Sequence, residues 1–150
     1  MSKYDNASKI MTERFGKDNL ISVATVAEGH PYVRIVNGYY EDGAFYVVTY
    51  TLSNKMKQIA ANSEVAVCGE WFTGHGIGEN LGHVLNESNA DMMTKLRKEF
   101  ASWYTGGHVD ESDTNTCLLR IHLTNGVIID HEMKYGEQFY KMNFDNKTIA

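Results

Sequence analysis

The sequence is poor in cysteine and proline and has no excess of positive charge, and these shortages exclude several classes of protein. Its two cysteines, Cys68 and Cys117, each stand in an apolar, strand-like segment, so we expect buried free thiols and no disulfide framework. The formal net charge of -5 leaves no basic face for nucleic acid or an anionic membrane. No apolar run could span a bilayer, and no secretory signal begins the sequence. We therefore predict a cytoplasmic protein that binds neither nucleic acid nor membrane.

The order of short apolar segments predicts a mainly β fold. The 150 residues, of which 43% are hydrophobic, are typical of a single domain, residues 1–150, with a substantial core. Helices are expected over residues 5–15, after Ser53 and after Ser88. Strands are expected over residues 20–26, 31–40, 45–49, 64–72, 80–85 and 116–124, with a hairpin turn at Asp42-Gly43. Many short antiparallel strands and few helices favour a small barrel with peripheral helices over a doubly wound sheet.

Side-chain patterns predict which faces of these elements are buried. The helix after Ser53 should turn Met56, Ile59 and Ala60 inward. The helix after Ser88 carries an apolar stripe of Met92, Leu96, Phe100 and Trp103. Residues 73–78, three of them glycines, predict a turn that contains His75, and Asn125-Gly126 predicts a hairpin turn or a bulge.

Three polar residues around the second hairpin suggest a site for an anion. Arg34 stands among apolar residues of a strand, and Ser53 caps a helix whose first turn contains Lys55. A cation is unfavourable at the N-terminal end of a helix, unless a bound anion compensates it. A hydroxyl, a lysine, an arginine and free backbone N–H groups can converge on one phosphate. The alternative is that Lys55 and Lys57 are solvated surface lysines and Arg34 is an edge-strand charge.

Four segments in sequence order resemble a known family. They are residues 29–34 (GHPYVR), 45–49 (FYVVT), 53–55 (SNK) and 62–67 (NSEVAV). In this order and spacing they resemble the FMN-binding split β-barrel proteins, the group similar to pyridoxamine 5'-phosphate oxidase. The resemblance implies that Arg34, Ser53 and Lys55 bind the phosphate of FMN. It also implies that Ile35, Val36, Val48 and Thr49 lie along the isoalloxazine ring.

The resemblance further implies an activity and a partner. A homodimer with flavin at its two-fold interface is expected, acting as an FMN-dependent oxidoreductase that takes electrons from NAD(P)H and reduces a small acceptor. Residues 71–82 are more similar to the nitroimidazole-reductase and general-stress branch than to the true oxidase. Ile77 replaces the glutamine by which the oxidase reaches the neighbouring subunit's flavin, and the oxidase's C-terminal arginine-histidine motif is missing. Two alternatives remain, a flavin-binding or stress-related module without efficient turnover and a relative that uses deazaflavin or haem.

The substrate side of the site is predicted around Trp71, His75 and Ile77. With Ile77 between two glycines, this wall would be apolar and would suit a flat aromatic acceptor such as a quinone or a nitroaromatic compound. His75 is the candidate catalytic residue, because a histidine can donate a proton near neutral pH. The alternative is that His75 is an exposed turn residue. The histidine and cysteine spacing fits no metal motif, so we predict no metal site.

Overall fold

The protein is built around one antiparallel sheet that closes on itself. In the computed structural model, which describes residues 1–150, the strands follow the order β3-β2-β1-β4-β5-β6-β7-β8, and a further pairing of β3 with β6 closes a six-stranded barrel. The strands are β1 Asn19–Ala27, β2 His30–Glu41, β3 Ala44–Tyr50, β4 Glu64–Gly69, β5 Phe72–His83, β6 Thr116–Ile129, β7 Phe139–Asn143 and β8 Thr148–Ile149. The predicted barrel with peripheral helices is confirmed.

Alternating residues of the barrel strands fill its interior. On β6, the side chains of Cys117, Leu119, Ile121 and Leu123 are fully buried, and they pack with apolar residues of every other barrel strand. An alternation of this kind keeps one face of each strand in the core. β6 is the longest strand and pairs with β3, β5 and β7, so it ties the barrel to the C-terminal strands.

One seam of the barrel is open. β2 and β3 are paired only next to their turn, from Tyr39↔Tyr46 to Glu41↔Ala44. Beyond these pairs β2 stays bound to β1 and β3 stays bound to β6, so the two strands separate. This cleft, bounded by residues 34–38 of β2 and 47–50 of β3, is called the seam cleft below. It is the split of a split β-barrel.

The glycines of residues 73–78 belong to strand β5, so the predicted turn was wrong. Gly74, Gly76 and Gly78 point into the barrel, where a Cβ atom on each would lie 2.6–2.9 Å from a neighbouring atom. For Gly76 that atom is the backbone oxygen of His122, and for Gly78 it is a methyl group of Ile59. The glycines therefore allow close packing inside the barrel, and His75 is a strand residue.

Two helices close the ends of the barrel. Helix α1, Lys3–Phe15, is opened by a capping box between Ser2 and Asp5, and it places Phe15 against Phe45 and Phe72. Helix α2, Asn54–Ala61, covers the opposite end with Met56 and Ile59. The prediction for Ala60 was wrong, because Ala60 is exposed.

A second core lies on the outside of the barrel. Helix α3, Ala90–Glu99, and the turns that follow it pack on β3 and β6 through Met93, Leu96, Phe100 and Tyr104. The predicted stripe is thus right for Leu96 and Phe100, whereas Met92 and Trp103 lie at the edge of this core. The helix begins after a 3-10 turn, Glu87–Asn89, and no side chain caps it, so the predicted cap at Ser88 was wrong.

Two smaller expectations concern Cys68 and Asn125-Gly126. Both cysteines are free, but Cys68 is exposed and only Cys117 is buried. The β5–β6 ladder shifts register next to Asn125, which makes this segment a bulge within one continuous strand. No helix is both long and apolar enough to cross a membrane.

Candidate functional site

The predicted phosphate-binding residues meet at the α2 end of the barrel. The chain leaves β3, and Ser53 then opens α2 by accepting a hydrogen bond from the backbone N–H of Met56 at 3.3 Å. Lys55 is in the first turn of this helix, and Arg34 of β2 contacts Gln58 of the same helix. The first turn contains no acidic residue that would offset the partial positive charge of the helix end.

The guanidinium group of Arg34 is held by three oxygen atoms inside the barrel. One terminal nitrogen donates to the backbone oxygen of Val23 at 3.2 Å and to the hydroxyl of Thr25 at 2.8 Å. The other terminal nitrogen donates to Oε1 of Gln58 at 2.8 Å. Thr25 in turn donates to the same oxygen of Gln58 at 2.6 Å. Arg34 therefore has a fixed orientation at the mouth of the barrel.

Lys55 is directed to the same region. Its ammonium group donates a hydrogen bond to the hydroxyl of Thr49, the last residue but one of β3. Burial, and after it the positive charge of Arg34, lower the pKa of Lys55. Burial also lowers the pKa of Arg34. Both cations are thus partly withdrawn from water and close enough to repel one another.

No carboxylate compensates these two charges. The protein has six ion pairs, and neither Arg34 nor Lys55 takes part in any of them. Two partly buried cations without an acidic partner are unfavourable unless an anion binds between them. A phosphate group would accept hydrogen bonds from both, and from free N–H groups of the helix end. The residues present therefore fit the phosphate of a nucleotide cofactor.

The predicted ring-lining residues lie on the two sides of the seam cleft. Ile35 and Val36 belong to the part of β2 that has no partner on β3, and Val48 and Thr49 belong to the facing part of β3. Val36 packs on the barrel core, Val48 packs under α3, and Ile35 is 67% exposed on the outer surface. Unpaired backbone edges thus face each other across the cleft, next to the two cations.

The outer surface of the sheet beside the cleft is uncovered. One register row crosses it through Val33, Ala24, Ala66, His75 and Asn125 on five successive strands. A cavity of about 310 Å³ lies on this row and includes Val33, Cys68 and Thr73. We call this surface the outer face. None of the three predicted phosphate-binding residues lines the cavity, because Arg34 points to the other side of the sheet and Ser53 and Lys55 lie at the start of α2.

His75 and Ile77 lie on the outer face, and Trp71 lies at its margin. His75 Nδ1 is 3.1 Å from Oδ1 of Asn125, and its side chain is exposed. Ile77 is the next outward residue of β5 and pairs with Glu64. A cavity of about 210 Å³ next to Trp71 shares Cys68, Thr73 and Val127 with the larger one. Within one chain, then, His75 and Ile77 are near neighbours, whereas Trp71 and His75 stand about 13 Å apart along the strand.

The backbone of Trp71 has an unusual conformation. Trp71 is the second residue of the two-residue turn between β4 and β5, with φ of 51°, and its side chain is 56% exposed. This position normally selects glycine or asparagine, and a bulky residue there costs on the order of 1–3 kcal/mol. The ring stacks edge-on against His131, with 4.5 Å between centroids. Such strain at an exposed aromatic residue is common at functional sites.

Thr25 and Gln58 are members of the site that the sequence did not indicate. Thr25 lies in the middle of a strand, where a threonine is ordinary, and Gln58 looks like a solvated helix residue. Only the spacing between Lys55 and Gln58 was informative, because residues three apart share one face of a helix. Their bonds to Arg34 depend on how β1, β2 and α2 are packed, and packing is not visible in the sequence.

The fold defines a split β-barrel protein with two uncompensated cations at one end, and a sequence comparison gives its family. The family model described as "Pyridoxamine 5'-phosphate oxidase" matches residues 8–126. The chain belongs to this pyridoxamine 5'-phosphate oxidase-like family of FMN-binding split barrels. No curated protein sequence matches the chain.

Solved structures share the fold at low sequence identity. General Stress Protein 26 from Bacillus anthracis str. Sterne is 16% identical with a TM-score of 0.65, covering 91% of this chain and 99% of that one. A FAD-binding protein from Mesorhizobium loti is 18% identical with a TM-score of 0.60, covering 84% of this chain and 92% of that one. A heme binding protein from Mycobacterium smegmatis is 12% identical with a TM-score of 0.68, covering 98% of this chain and 60% of that one.

Proposed function

We propose that the protein binds FMN in the seam cleft and acts as an FMN-dependent oxidoreductase. The observation that carries the proposal is the pair of partly buried, uncompensated cations, Arg34 and Lys55, at one end of that cleft. In this proposal the phosphate lies between them and the first turn of α2, and the ring lies between Ile35-Val36 and Val48-Thr49. Membership of the family and the FAD-binding relative of the same fold support flavin as the cofactor.

The bound flavin would accept hydride from a nicotinamide donor and return electrons to a small acceptor. The residues of this chain bind and orient it. Arg34 and Lys55 neutralise the phosphate, and the hydrogen bond from Lys55 to Thr49 links the phosphate end of the cleft to the ring end. Val36 and Val48, both partly buried, keep water from the walls of the cleft.

The acceptor side of the proposal rests on the outer face, where a second copy of the chain would bring His75 next to the ring in the partner's cleft, since His75 lies on β5, which does not border the cleft of its own chain. His75 is exposed there, and its neighbours in the cavity are small or apolar, among them Ala24, Val33 and Ala66. A flat, weakly polar acceptor such as a quinone or a nitroaromatic compound suits these walls. His75 donates the proton that the reduced acceptor takes up, and Asn125 orients its ring from Nδ1.

His75→Ala tests this role. We expect the variant to keep its FMN affinity and to reduce the acceptor at least about tenfold more slowly, within the range of general-acid effects. His108→Ala, at an exposed position outside the barrel, is the control for loss of a histidine. Stopped-flow measurement of the oxidative half-reaction separates acceptor reduction from hydride transfer. Equal rates in both variants would leave His75 as a plain surface residue.

We further propose that two copies of the chain associate through the outer face. Val33 is 70% exposed and Ile35 67% exposed, and with Leu20 they form an apolar patch beside the cleft. A second copy covering this patch would also close the ring end of the cleft, so association and cofactor binding are linked. Val33→Asp should then give a monomer by light scattering and weaker FMN binding. A dimer that persists in this variant would contradict the proposed interface.

The absorption spectrum of the purified protein is the direct test of the cofactor. We expect a flavin band and release of FMN on denaturation, and steady consumption of NAD(P)H when an acceptor is added. Tight FMN binding without turnover would identify a binding module instead of an enzyme. A Soret band, a deazaflavin spectrum, released FAD or failure to bind added FMN would overturn FMN as the cofactor.

A further inference from the structure

We propose that Thr25 and Gln58 form a neutral hydrogen-bonded clamp that orients Arg34 toward the cofactor phosphate and leaves its positive charge uncompensated. Because of Gln58, the site would bind a phosphorylated flavin more tightly than an unphosphorylated one. This inference rests on the proposed FMN site and assigns a positioning role to the two residues that hold Arg34.

The hydrogen bonds of the clamp leave little freedom. Oε1 of Gln58 accepts from Thr25 and from Arg34, at 2.6 and 2.8 Å. Thr25 uses its hydroxyl proton on Gln58 and accepts from Arg34 at 2.8 Å. Each member is thus bonded to the other two. A closed triangle of this kind fixes which edge of the guanidinium group faces the barrel and which edge faces outward.

Arg34 keeps donors for a ligand after these bonds are made. A guanidinium group has five N–H donors, and the bonds to Val23, Thr25 and Gln58 use three of them. The remaining two are free for phosphate oxygens.

The position of Gln58 makes it part of the phosphate site. It lies three residues after Lys55 on α2, so both side chains lie on the same side of the helix, next to Arg34. Thr25 is 1% exposed and anchors the clamp inside the barrel. A side chain that only filled space here would not need both hydrogen bonds.

The clamp is neutral, unlike the contacts that hold two other arginines of the protein. Arg97 and Arg120 are each bonded to a glutamate. A glutamate at position 58 could make the same contact to Arg34, but it would neutralise that charge and repel a phosphate. A glutamine orients the group and leaves the charge available to a dianionic ligand.

The test compares FMN with riboflavin, which lacks the phosphate, by quenching of flavin fluorescence. The variants are Gln58→Glu, Gln58→Ala and Thr25→Val, and Gln138→Glu is the matched control because it makes the same change at the chain's other glutamine. We expect Gln58→Glu to weaken FMN by about tenfold to a hundredfold, as for loss of charge-assisted bonds. Riboflavin affinity should change by less than about threefold, and Gln138→Glu should change neither affinity. Thermal melting of the apo variants reports folding.

The Ala and Val variants separate orientation from charge. Gln58→Ala and Thr25→Val should each weaken FMN by about tenfold in the wild-type background and have no further effect in Arg34→Ala, since the clamp acts through Arg34. If wild-type protein shows no preference for FMN over riboflavin, the proposed FMN site itself fails. If wild type prefers FMN and Gln58→Glu keeps that preference, the clamp is overturned and the FMN site stands.

Discussion

Two groups of cations in this protein differ in what surrounds them. Lys3, Lys95, Arg120 and Lys134 each meet a glutamate at the surface, and the hydrogen bonds that they donate to these glutamates are the main reason that the pKa of each is raised. Arg34 and Lys55 have no carboxylate partner, and burial lowers the pKa of both. Within the folded chain, the cations of the first group have counter-charges, and those of the second group have none.

The two groups are expected to affect different properties: the paired cations affect the stability of the folded chain, and the unpaired cations affect the affinity for an anion. A surface ion pair adds little to the free energy of unfolding, typically less than about 1 kcal/mol. Both of its members belong to the folded chain, so it needs no ligand. An uncompensated, partly buried cation lowers the free energy of unfolding of the ligand-free protein. Binding of an anion offsets this loss. The second group therefore marks the place where a bound anion would add most to stability. Three experiments test this comparison.

The largest expected effect is on cofactor affinity. Arg34→Ala and Lys55→Ala should each weaken FMN by about tenfold to a hundredfold, because a hydrogen bond to a charged group is worth about 1.5–3 kcal/mol. Titration by fluorescence measures the affinity. Lys57→Ala, an exposed lysine on the same helix, is the matched control. Unchanged FMN affinity in both variants would remove the site assignment.

Where a cation is paired, we expect a smaller effect, and we expect it on stability instead of cofactor affinity. Glu111 accepts from Arg97 at 2.9 Å and from the hydroxyl of Tyr104. Burial alone would raise the pKa of Glu111, but these two bonds lower it overall. Glu111→Gln should reduce the free energy of unfolding by about 1 kcal/mol in urea, with FMN affinity unchanged. The loss should vanish as the pH falls through the lowered pKa of Glu111, where the wild-type carboxylate is protonated too.

The smallest expected effect is the influence of the Lys55 charge on the stability of the cofactor-free protein. Its lowered pKa means that folding opposes protonation, so Lys55→Met should make the cofactor-free protein more stable than wild type at neutral pH. Between the lowered pKa and the ordinary value, near 10.4, the unfolded chain holds the extra proton and wild type gains stability as the pH rises. The difference between the two proteins should therefore shrink over that range. Urea unfolding at several pH values measures it, with Lys57→Met as control, and a constant difference would contradict an uncompensated Lys55.

Much of the fold could be predicted because local signals agreed with the final packing. The Asp42-Gly43 turn, the Ser53 cap and the alternation from Cys117 to Leu123 each depend on neighbours in sequence. The glycines of β5 were misread, since their partners, Ile59 and His122, come from elsewhere in the chain. Cys68 was misassigned for a related reason: an apolar strand segment does not reveal which of its two sides is buried.

The site was partly predictable for the same reason. Arg34, Ser53 and Lys55 stand in a short hairpin-and-helix segment with a recognisable order, and the structure brings Arg34 and Lys55 close to each other. Thr25 and Gln58 carry no signal of their own, because their role depends on contacts with Arg34 across 9 and 24 residues. A sequence shows which residues could bind an anion, but not which residues hold them in place.

The two sides of strand β5 have different freedom to change in evolution. Its inner row, Gly74, Gly76 and Gly78, leaves no room for even one additional carbon atom. Its outer row, Thr73, His75 and Ile77, is exposed, and new side chains there meet only solvent or a bound partner. Under the proposed function, mutations that alter ligand preference can therefore accumulate on one side of the strand while the other keeps the barrel unchanged. A lineage could acquire new substrates by changing alternate residues of a single strand.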